Sequence, residues 1–125
     1  MKLEKWLEIG EKTVDFEVRK EGKTIMTVPM FGQLFELSGK KEDLAYSFVH
    51  DLLSSMVDAA VEEARRSGIH HIGITGGVSY NNTISKLVKK MIEERGLKFV
   101  SHDRVPNGDG GVSTGQCAIA LKKIK

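Results

Sequence analysis

Residues 74–82 read ITGGVSYNN, and residues 106–116 read PNGDGGVSTGQ. Each of these glycine-rich turns follows a short apolar run that predicts a strand and precedes a segment that predicts a helix. Such a turn presents backbone N–H groups at the positive end of a helix dipole, where a phosphate is stabilised. Two turns of this kind in one small α/β unit predict a nucleotide held from two sides. The carboxylate of Asp109, in the second turn, predicts a metal beside the phosphate.

The composition predicts one ordinary globular domain over residues 1–125, long enough to bury a core. The formal net charge of +2 is too small to predict nucleic-acid binding. A single cysteine, Cys117, excludes an internal disulfide and a site of several thiolates within one chain. No apolar run approaches the ~20 residues that span a bilayer, and residues 1–12 lack the apolar centre of a signal peptide. We therefore expect a location in the cytoplasm and no membrane partner.

Hydrophobic periodicity predicts an α/β domain with the element order β-β-α-α-β-α-β-α, preceded by a short helix within residues 1–10. The first two strands form a hairpin at residues 14–19 and 23–28, which Pro29 ends because proline cannot donate to a ladder. The remaining elements are helices at 31–37, 41–67, 81–95 and 115–121 and strands at 69–75 and 97–101. Because helices alternate with the last two strands, these strands should be parallel neighbours. The hairpin should extend their sheet, and the order suits half of an actin-like domain.

The first turn also has a purely structural interpretation. It lacks the GxGxxG spacing of dinucleotide sites and the GK[ST] of a P-loop. Gly76 and Gly77 can serve only a tight turn with positive φ, and Asn81 can serve only as the N-cap of the next helix. Both interpretations stay open on the residues alone.

The second turn combines proline, asparagine, glycine and aspartate, as ordinary turns do. A surface turn does not usually need the Gly110–Gly111 pair that opens onto the next helix, however. Mg²⁺ is usually held by one or two carboxylates together with phosphate oxygens. Asp109 cannot make a site alone, so a metal here needs ligands from elsewhere.

The histidines and the cysteine give no catalytic constellation, and the catalytic residues stay unknown. His70 and His71 are adjacent on a predicted strand and point to opposite faces, so they cannot chelate one metal together. We expect His102 to be hydrogen-bonded to a loop at a strand end, and His50 to be buried with one hydrogen bond. Cys117 is expected to be a small buried residue rather than a nucleophile. The sequence contains no HExxH or CxxC motif.

Residues 71–120 resemble the C-terminal end of the HypF-type carbamoyltransferases, which assist the maturation of nickel–iron hydrogenases. In that family a strand leads to an SGGVxxN turn and a helix, and a second strand ends near a histidine before VPxxDGGxxxGQ and a last helix. The matching positions here are 75–78, 81, 102, 105–106, 109–111 and 115–116. FVHDLL at residues 48–53 and MKLEKW at residues 1–6 also resemble family segments. More distantly, the sequence resembles the TsaD-like threonylcarbamoyl transferases that modify tRNA.

The resemblance implies one lobe, the C-terminal one, of an actin-like (ribonuclease H-like) ATPase domain. The family binds ATP or carbamoyl-adenylate between two lobes, beside a divalent metal whose identity (Mg, Zn or Fe) stays open. It passes the carbamoyl group to the C-terminal cysteine of a HypE-type partner. By position, Asp109 would be a metal ligand, and the nucleotide would be contacted by Gly76, Gly77, Val78, Asn81, Gly110 and Gly111.

The same resemblance implies that part of the site lies elsewhere. The family's other metal ligands, a His-x-x-x-His pair, belong to the earlier lobe, and this sequence contains no HxxxH. We therefore do not expect catalysis by the isolated chain, which needs a first lobe, in the same or a second polypeptide. The alternatives are a lobe of a tRNA threonylcarbamoyl transferase, or a non-catalytic assembly module that exposes an apolar patch and forms homo-oligomers. DGG, and the VP before it, favour HypF.

Overall fold

The computed structural model describes residues 2–124, with side chains from residue 3 onward. In chain order the elements are α1 (Lys2–Ile9), β1 (Arg19–Glu21), β2 (Thr24–Met26), α2 (Thr27–Glu36), α3 (Lys41–Arg66), β3 (His71–Gly73), a 3₁₀ turn (Gly77–Tyr80), α4 (Asn82–Glu94), β4 (Lys98–Val100) and α5 (Gly110–Ile124). This mixture of helices and strands confirms the predicted α/β lobe.

The main core lies between α3, α4 and the sheet of β3 and β4. The two strands pair in parallel, with Ile72 opposite Phe99, as predicted. Both are shorter than expected, and beyond the end of β3 the Thr75 hydroxyl and the Gly76 amide bond to the second turn. The buried residues of this core are Val57, Val61, Ala64, Val88, Met91, Ile92 and Leu97. Each large apolar side chain buried here contributes roughly 1.5–3 kcal/mol, so the strand ends that lead into the two turns are firmly placed.

The predicted hairpin exists, but its first strand is displaced. β1 and β2 pair antiparallel around a turn at Gly22, whose φ is +58°. Residues 14–18, predicted to be strand, form none: Val14 and Phe16 are bonded to α3, and Phe16 is buried. The amide of Phe16 donates to Asp51 and that of Thr13 to Ser47, both on α3. Side-chain acceptors of a helix therefore take the bonds that a strand partner would have taken.

Two further expectations about the hairpin are wrong. Residues 2–124 contain two separate two-stranded sheets, β1–β2 and β3–β4. The hairpin lies beside α3, where Lys23 Nζ is 3.5 Å from Glu63 Oε2, and does not extend the β3–β4 sheet. Pro29 does not end β2 but lies in the first turn of α2, which begins at Thr27. Proline is tolerated there because the first amides of a helix have no intrahelical acceptor.

The last helix begins earlier than predicted and packs least. α5 runs over Gly110–Ile124 instead of residues 115–121, and none of its residues is buried. Its apolar side chains are exposed, Ile119 by 61% and Ile124 by 82%. The expectation that Cys117 is buried is wrong: the thiol is exposed because this helix lies against no core of the described chain. No helix between residues 2 and 124 is both long and apolar enough to cross a membrane.

Candidate phosphate and metal site

The structure joins the two glycine-rich turns directly. The backbone N–H of Gly76 donates to the carbonyl oxygen of Asn107 over 2.7 Å. Thr75 Oγ1 donates to the same oxygen over 2.8 Å. A carbonyl oxygen has two lone pairs, so this one acceptor serves two donors and anchors the second turn to the start of the first.

A second connection runs from the end of the first turn. The amide of Gly108 donates to the Tyr80 hydroxyl over 3.1 Å. The ring also lies against this glycine, since a Cβ at position 108 would be 3.0 Å from Tyr80 Cε2. Tyr80 and Asn107 were not singled out from the sequence. The sequence signal for them is weak. Asn107 acts through its backbone carbonyl, which any residue has. Tyr80 acts through a contact with a residue 28 positions away.

The predicted phosphate-contacting residues of the first turn do not share one role. Gly76 has φ +97°, which requires glycine, and its N–H is already bonded to Asn107. Gly77 and Val78 begin the 3₁₀ turn, so theirs are the amides that a helix start leaves without an intrahelical acceptor. A side chain at position 77 would meet nothing within 4 Å, so a ligand can approach this backbone closely. The geometry thus favours Gly77 and Val78 over Gly76 as the donors to an anion.

Asn81 acts as the N-cap that the sequence allowed. Its Oδ1 accepts from the amide of Ile84 over 3.0 Å at the start of α4. Its Nδ2 lies 3.5 Å from Glu4 Oε1 on α1. Such a cap is worth about 1 kcal/mol, so the structural role is explained. The nucleotide contact of Asn81 stays a prediction.

The second turn places Asp109 at the beginning of α5. Asp109 is exposed, and its carbonyl accepts from the amide of Val112 over 3.1 Å. A carboxylate immediately before a helix is stabilised by the helix dipole. Gly111 cannot carry a side chain, because a Cβ there would be 2.6 Å from the carbonyl oxygen of Pro106. At Gly110 the nearest atoms, of Pro106, would be 3.5 Å away, so the turn leaves that face more open.

His102 completes the connection between the turns. Its Nε2 lies 3.1 Å from Thr75 Oγ1. The Thr75 hydroxyl has a single proton, which it gives to Asn107, so His102 Nε2 must be the donor in this contact. The expected hydrogen bond of a strand-end histidine is therefore confirmed, on a residue that is exposed.

Two depressions border the joined turns. One, of about 300 Å³, lies at the carboxyl ends of β3 and β4 and is lined by residues 73–75 and 100–102. The other, of about 380 Å³, lies between α1 and the first turn, where Leu3, Leu7 and Val78 face Ile84. Ligands of open α/β sheets bind outside the carboxyl ends of the strands. The depressions are therefore where this fold would accept a small ligand.

The described residues contain no complete metal site. Between residues 2 and 124, no group of three His, Cys, Asp or Glu side chains could hold a metal ion. A hard cation takes carboxylate oxygens, so Asp109 suits Mg²⁺ chemically but supplies one ligand. The expectation that further ligands come from another lobe stays a prediction, as does the role of Asp109 as a ligand.

A separate ionisable cluster anchors the N-terminal segment to α3. Asp51 Oδ2 accepts from Lys12 Nζ over 2.8 Å, and His50 Nδ1 is 2.9 Å from Asp51 Oδ1. Burial acts to raise the pKa of Asp51, but the hydrogen bonds from Lys12, the Phe16 amide and His50 outweigh it, so this pKa is lowered. Burial acts to lower the pKa of Lys12, but the carboxylates of Asp15 and Asp51 outweigh it, so this pKa is raised. The expected hydrogen bond of His50 is confirmed, but its side chain is 30% exposed and not buried as predicted.

Residues 1–116 match the family model for the second subdomain of the Kae1-like domain of HypF carbamoyltransferases. The chain belongs to this family. Among curated HypF relatives, the probable carbamoyltransferase HypF of Methanocaldococcus jannaschii is 34% identical over 107 residues, which cover 82% of this chain and 14% of that protein. The tRNA N6-adenosine threonylcarbamoyltransferase of Thermococcus kodakarensis is 32% identical over 105 residues, covering 78% of this chain and 31% of its own.

Solved HypF structures share the fold. The crystal structure of T. kodakarensis HypF superposes with a TM-score of 0.83 at 35% identity, covering 98% of this chain and 17% of that one. A full-length HypF in the phosphate- and nucleotide-bound form superposes with a TM-score of 0.79 at 24% identity. The chain thus spans about a sixth of these proteins, and it corresponds to a C-terminal HypF-type fragment of a carbamoyltransferase domain.

Proposed function

We propose that this chain is the second lobe of a HypF-like carbamoyltransferase and supplies phosphate and metal contacts for carbamoyl transfer. The observation that carries the proposal is the joining of the two turns through Asn107, which brings the helix start after Gly77 beside the carboxylate turn. Two helix N-termini that face one ligand stabilise negative charge on it. ATP or carbamoyl-adenylate has that charge, and the nucleotide-bound HypF of the same fold agrees with such a ligand.

The residues of this lobe would bind and orient the nucleotide rather than carry out the chemistry. The amides of Gly77 and Val78 would donate to phosphate oxygens, while Asn81 and Gly110–Gly111 would border the ligand. Asp109 would hold a divalent metal with ligands of the first lobe, and that metal would supply positive charge next to the phosphate. Closing two lobes around the ligand would exclude water from an activated carbamoyl group.

The physiological setting follows from the family. The carbamoyl group would pass to a HypE-type partner during nickel–iron hydrogenase maturation, in the cytoplasm. The first lobe would lie in the same or in a second polypeptide. We do not expect turnover without it, because Asp109 supplies only one metal ligand.

The test compares two aspartates in the complete two-lobed protein. Asp109→Ala should lower metal-dependent carbamoyl transfer about 100-fold or more, because a metal that stabilises phosphate charge is worth several kcal/mol. Asp103→Ala, which removes an exposed carboxylate six positions earlier, is the matched control and should keep activity. Full activity of Asp109→Ala would contradict the metal-ligand assignment.

A tRNA threonylcarbamoyl transferase is the second candidate, favoured by the 32% identity to the T. kodakarensis enzyme. The phosphate and metal roles would be the same, and the acceptor would be tRNA instead of a protein cysteine. A transfer assay with both acceptors separates the two. Modification of tRNA without transfer to a HypE-type protein would replace the hydrogenase assignment.

A non-catalytic assembly module is the third candidate, and the exposed apolar side chains of α5 favour it. It predicts self-association that Ile119→Glu and Leu121→Glu weaken. Sedimentation at high protein concentration provides the measurement. A strictly monomeric chain would speak against this alternative.

A further inference from the structure

The position of Asp109 depends on the two residues that precede it. Asn107 is bonded to Thr75 and Gly76 at the start of the first turn, and Gly108 to Tyr80 at its end. Three hydrogen bonds from one turn therefore hold two consecutive residues of the other. The following residues, Asp109 to Gly111, have no comparable support from the core, because α5 carries no buried residue.

Glycine suits position 108 because of the contact with Tyr80, and not because of its backbone angles. Its φ is not in the positive range that favours glycine, in contrast to Gly76 with φ +97°. A Cβ at position 108 would be 3.0 Å from Tyr80 Cε2 and 3.4 Å from its hydroxyl, so the ring would have to shift by a few tenths of an ångström. The amide of the same residue donates to that hydroxyl. Packing and hydrogen bonding thus point to one function for the pair, which is to hold the turn.

Tyr80 has little to do with the stability of the fold. Its side chain is 59% exposed and lies outside the main core. A glycine-rich loop has many accessible conformations, whereas a metal ligand must be held within about 0.5 Å of its productive position. Tyr80 supplies this restraint, because its hydroxyl and ring hold Gly108, the residue before Asp109.

We propose that Tyr80 is a positioning residue, which holds Gly108 so that Asp109 presents its carboxylate to a metal beside the phosphate bound at the first turn. The inference rests on the proposed function and adds to it a link between phosphate turn and metal turn. It assigns Tyr80 an effect on metal affinity, with no contact to the metal itself.

The experiment titrates Mn²⁺ into the complete two-lobed protein saturated with a non-hydrolysable ATP analogue, followed by electron paramagnetic resonance. Tyr80→Phe keeps the ring and removes the hydroxyl, so the dissociation constant for Mn²⁺ should rise about 3- to 10-fold, the range expected for one lost hydrogen bond. The melting temperature and the metal-free affinity for the analogue should stay the same. Tyr46→Phe, on α3, is the matched control and should leave Mn²⁺ binding unchanged.

A double-mutant cycle tests the contact between Tyr80 and Gly108 without relying on the hydroxyl. Gly108→Ala should weaken Mn²⁺ binding, because the new methyl group displaces the ring. In a Tyr80→Ala background the same change should have no further effect, since the contact with the ring is already lost. Additive effects of the two substitutions, or wild-type Mn²⁺ binding by Tyr80→Phe, would overturn the inference.

Asp109→Ala distinguishes failure of this inference from failure of the proposed function. If Asp109→Ala leaves Mn²⁺ binding unchanged, the metal assignment itself is wrong. If Asp109→Ala abolishes binding while Tyr80→Phe and Gly108→Ala bind as the wild type does, the proposed function stands and the positioning role of Tyr80 is rejected.

Discussion

The helices that follow the two glycine-rich turns begin alike but lie in opposite environments. α4 buries Val88, Met91 and Ile92 against α3 and the sheet, whereas α5 buries nothing. The first turn is therefore held by the core of this chain. The second is held by the first turn, through Asn107 and Gly108. This difference indicates that the turn of the proposed phosphate site is preformed, while the turn of the proposed metal ligand depends on contacts between the two turns.

The largest predicted difference is in stability, between a buried residue of α4 and an exposed residue of α5. Ile92, on α4, is 1% exposed, so Ile92→Ala should lower the free energy of unfolding by about 2–5 kcal/mol. Ile119 is 61% exposed on α5, and Ile119→Ala should change it by less than about 0.5 kcal/mol. Urea unfolding of both variants provides the measurement. Equal losses would mean that α5 packs as firmly as α4, and the comparison would fail.

A smaller effect should separate the residues at the starts of the two helices. Asn81→Ala removes the acceptor of the Ile84 amide and should cost about 1 kcal/mol. Asp109→Ala removes a carboxylate before α5, which does not share the core, and should cost less than about 0.5 kcal/mol. The control for the cap is Asn82→Ala, at an exposed position within α4. Denaturation midpoints measure both, and strong destabilisation by Asp109→Ala would indicate a structural rather than a ligand role.

The smallest effect concerns the segment that is bonded to α3 by side chains. The pKa of Asp51 in the fold lies below its ordinary value of 3.8, so unfolding takes up protons in acid. Its stabilising contribution is complete above about pH 3.8 and is lost as the pH falls through the lower, folded pKa. Lys12→Met removes one cause of the shift and should make this acid loss shallower, while Lys20→Met, on exposed β1, should not. Urea midpoints between pH 7 and 2 provide the test, and parallel curves for wild type and Lys12→Met would contradict it.

At alkaline pH the contribution of Lys12 to stability changes in the opposite direction, falling as the pH rises. The pKa of Lys12 is raised above its ordinary 10.5. Its contribution is therefore complete below that pH and declines as the pH rises through the folded pKa. The same pair of lysine variants, measured between pH 9 and 12, should separate in this range. Identical alkaline curves for the two variants would show that the partners of Lys12 do not stabilise its charge.

The sequence predicted what local periodicity and caps control. The apolar spacing of α4 predicted its buried face, and the asparagine before it predicted its N-cap. The parallel pair followed from the alternation of helices and strands. These features depend on residues a few positions apart, which is where pattern arguments are strong.

Long-range partners account for the errors. Residues 14–18 alternate like a strand, but the amides of Val14 and Phe16 donate to Ser47 and Asp51, more than thirty positions away on α3. α5 begins at Gly110 although glycine disfavours helices, and Cys117 is exposed because nothing in residues 2–124 covers its helix. The bonds through Asn107 and Tyr80 leave no periodic trace in the sequence, so the link between the turns could be found only in three dimensions.

The central claim is that this lobe binds a nucleotide phosphate and helps to hold a metal beside it. Isothermal titration of the complete two-lobed protein with ATP, with and without Mg²⁺, tests it most directly. We predict ATP binding that Mg²⁺ strengthens, and that Asp109→Ala binds ATP without this strengthening while Asp103→Ala retains it. Binding that is indifferent to Mg²⁺ and to Asp109, or no binding at millimolar ATP, would contradict the account.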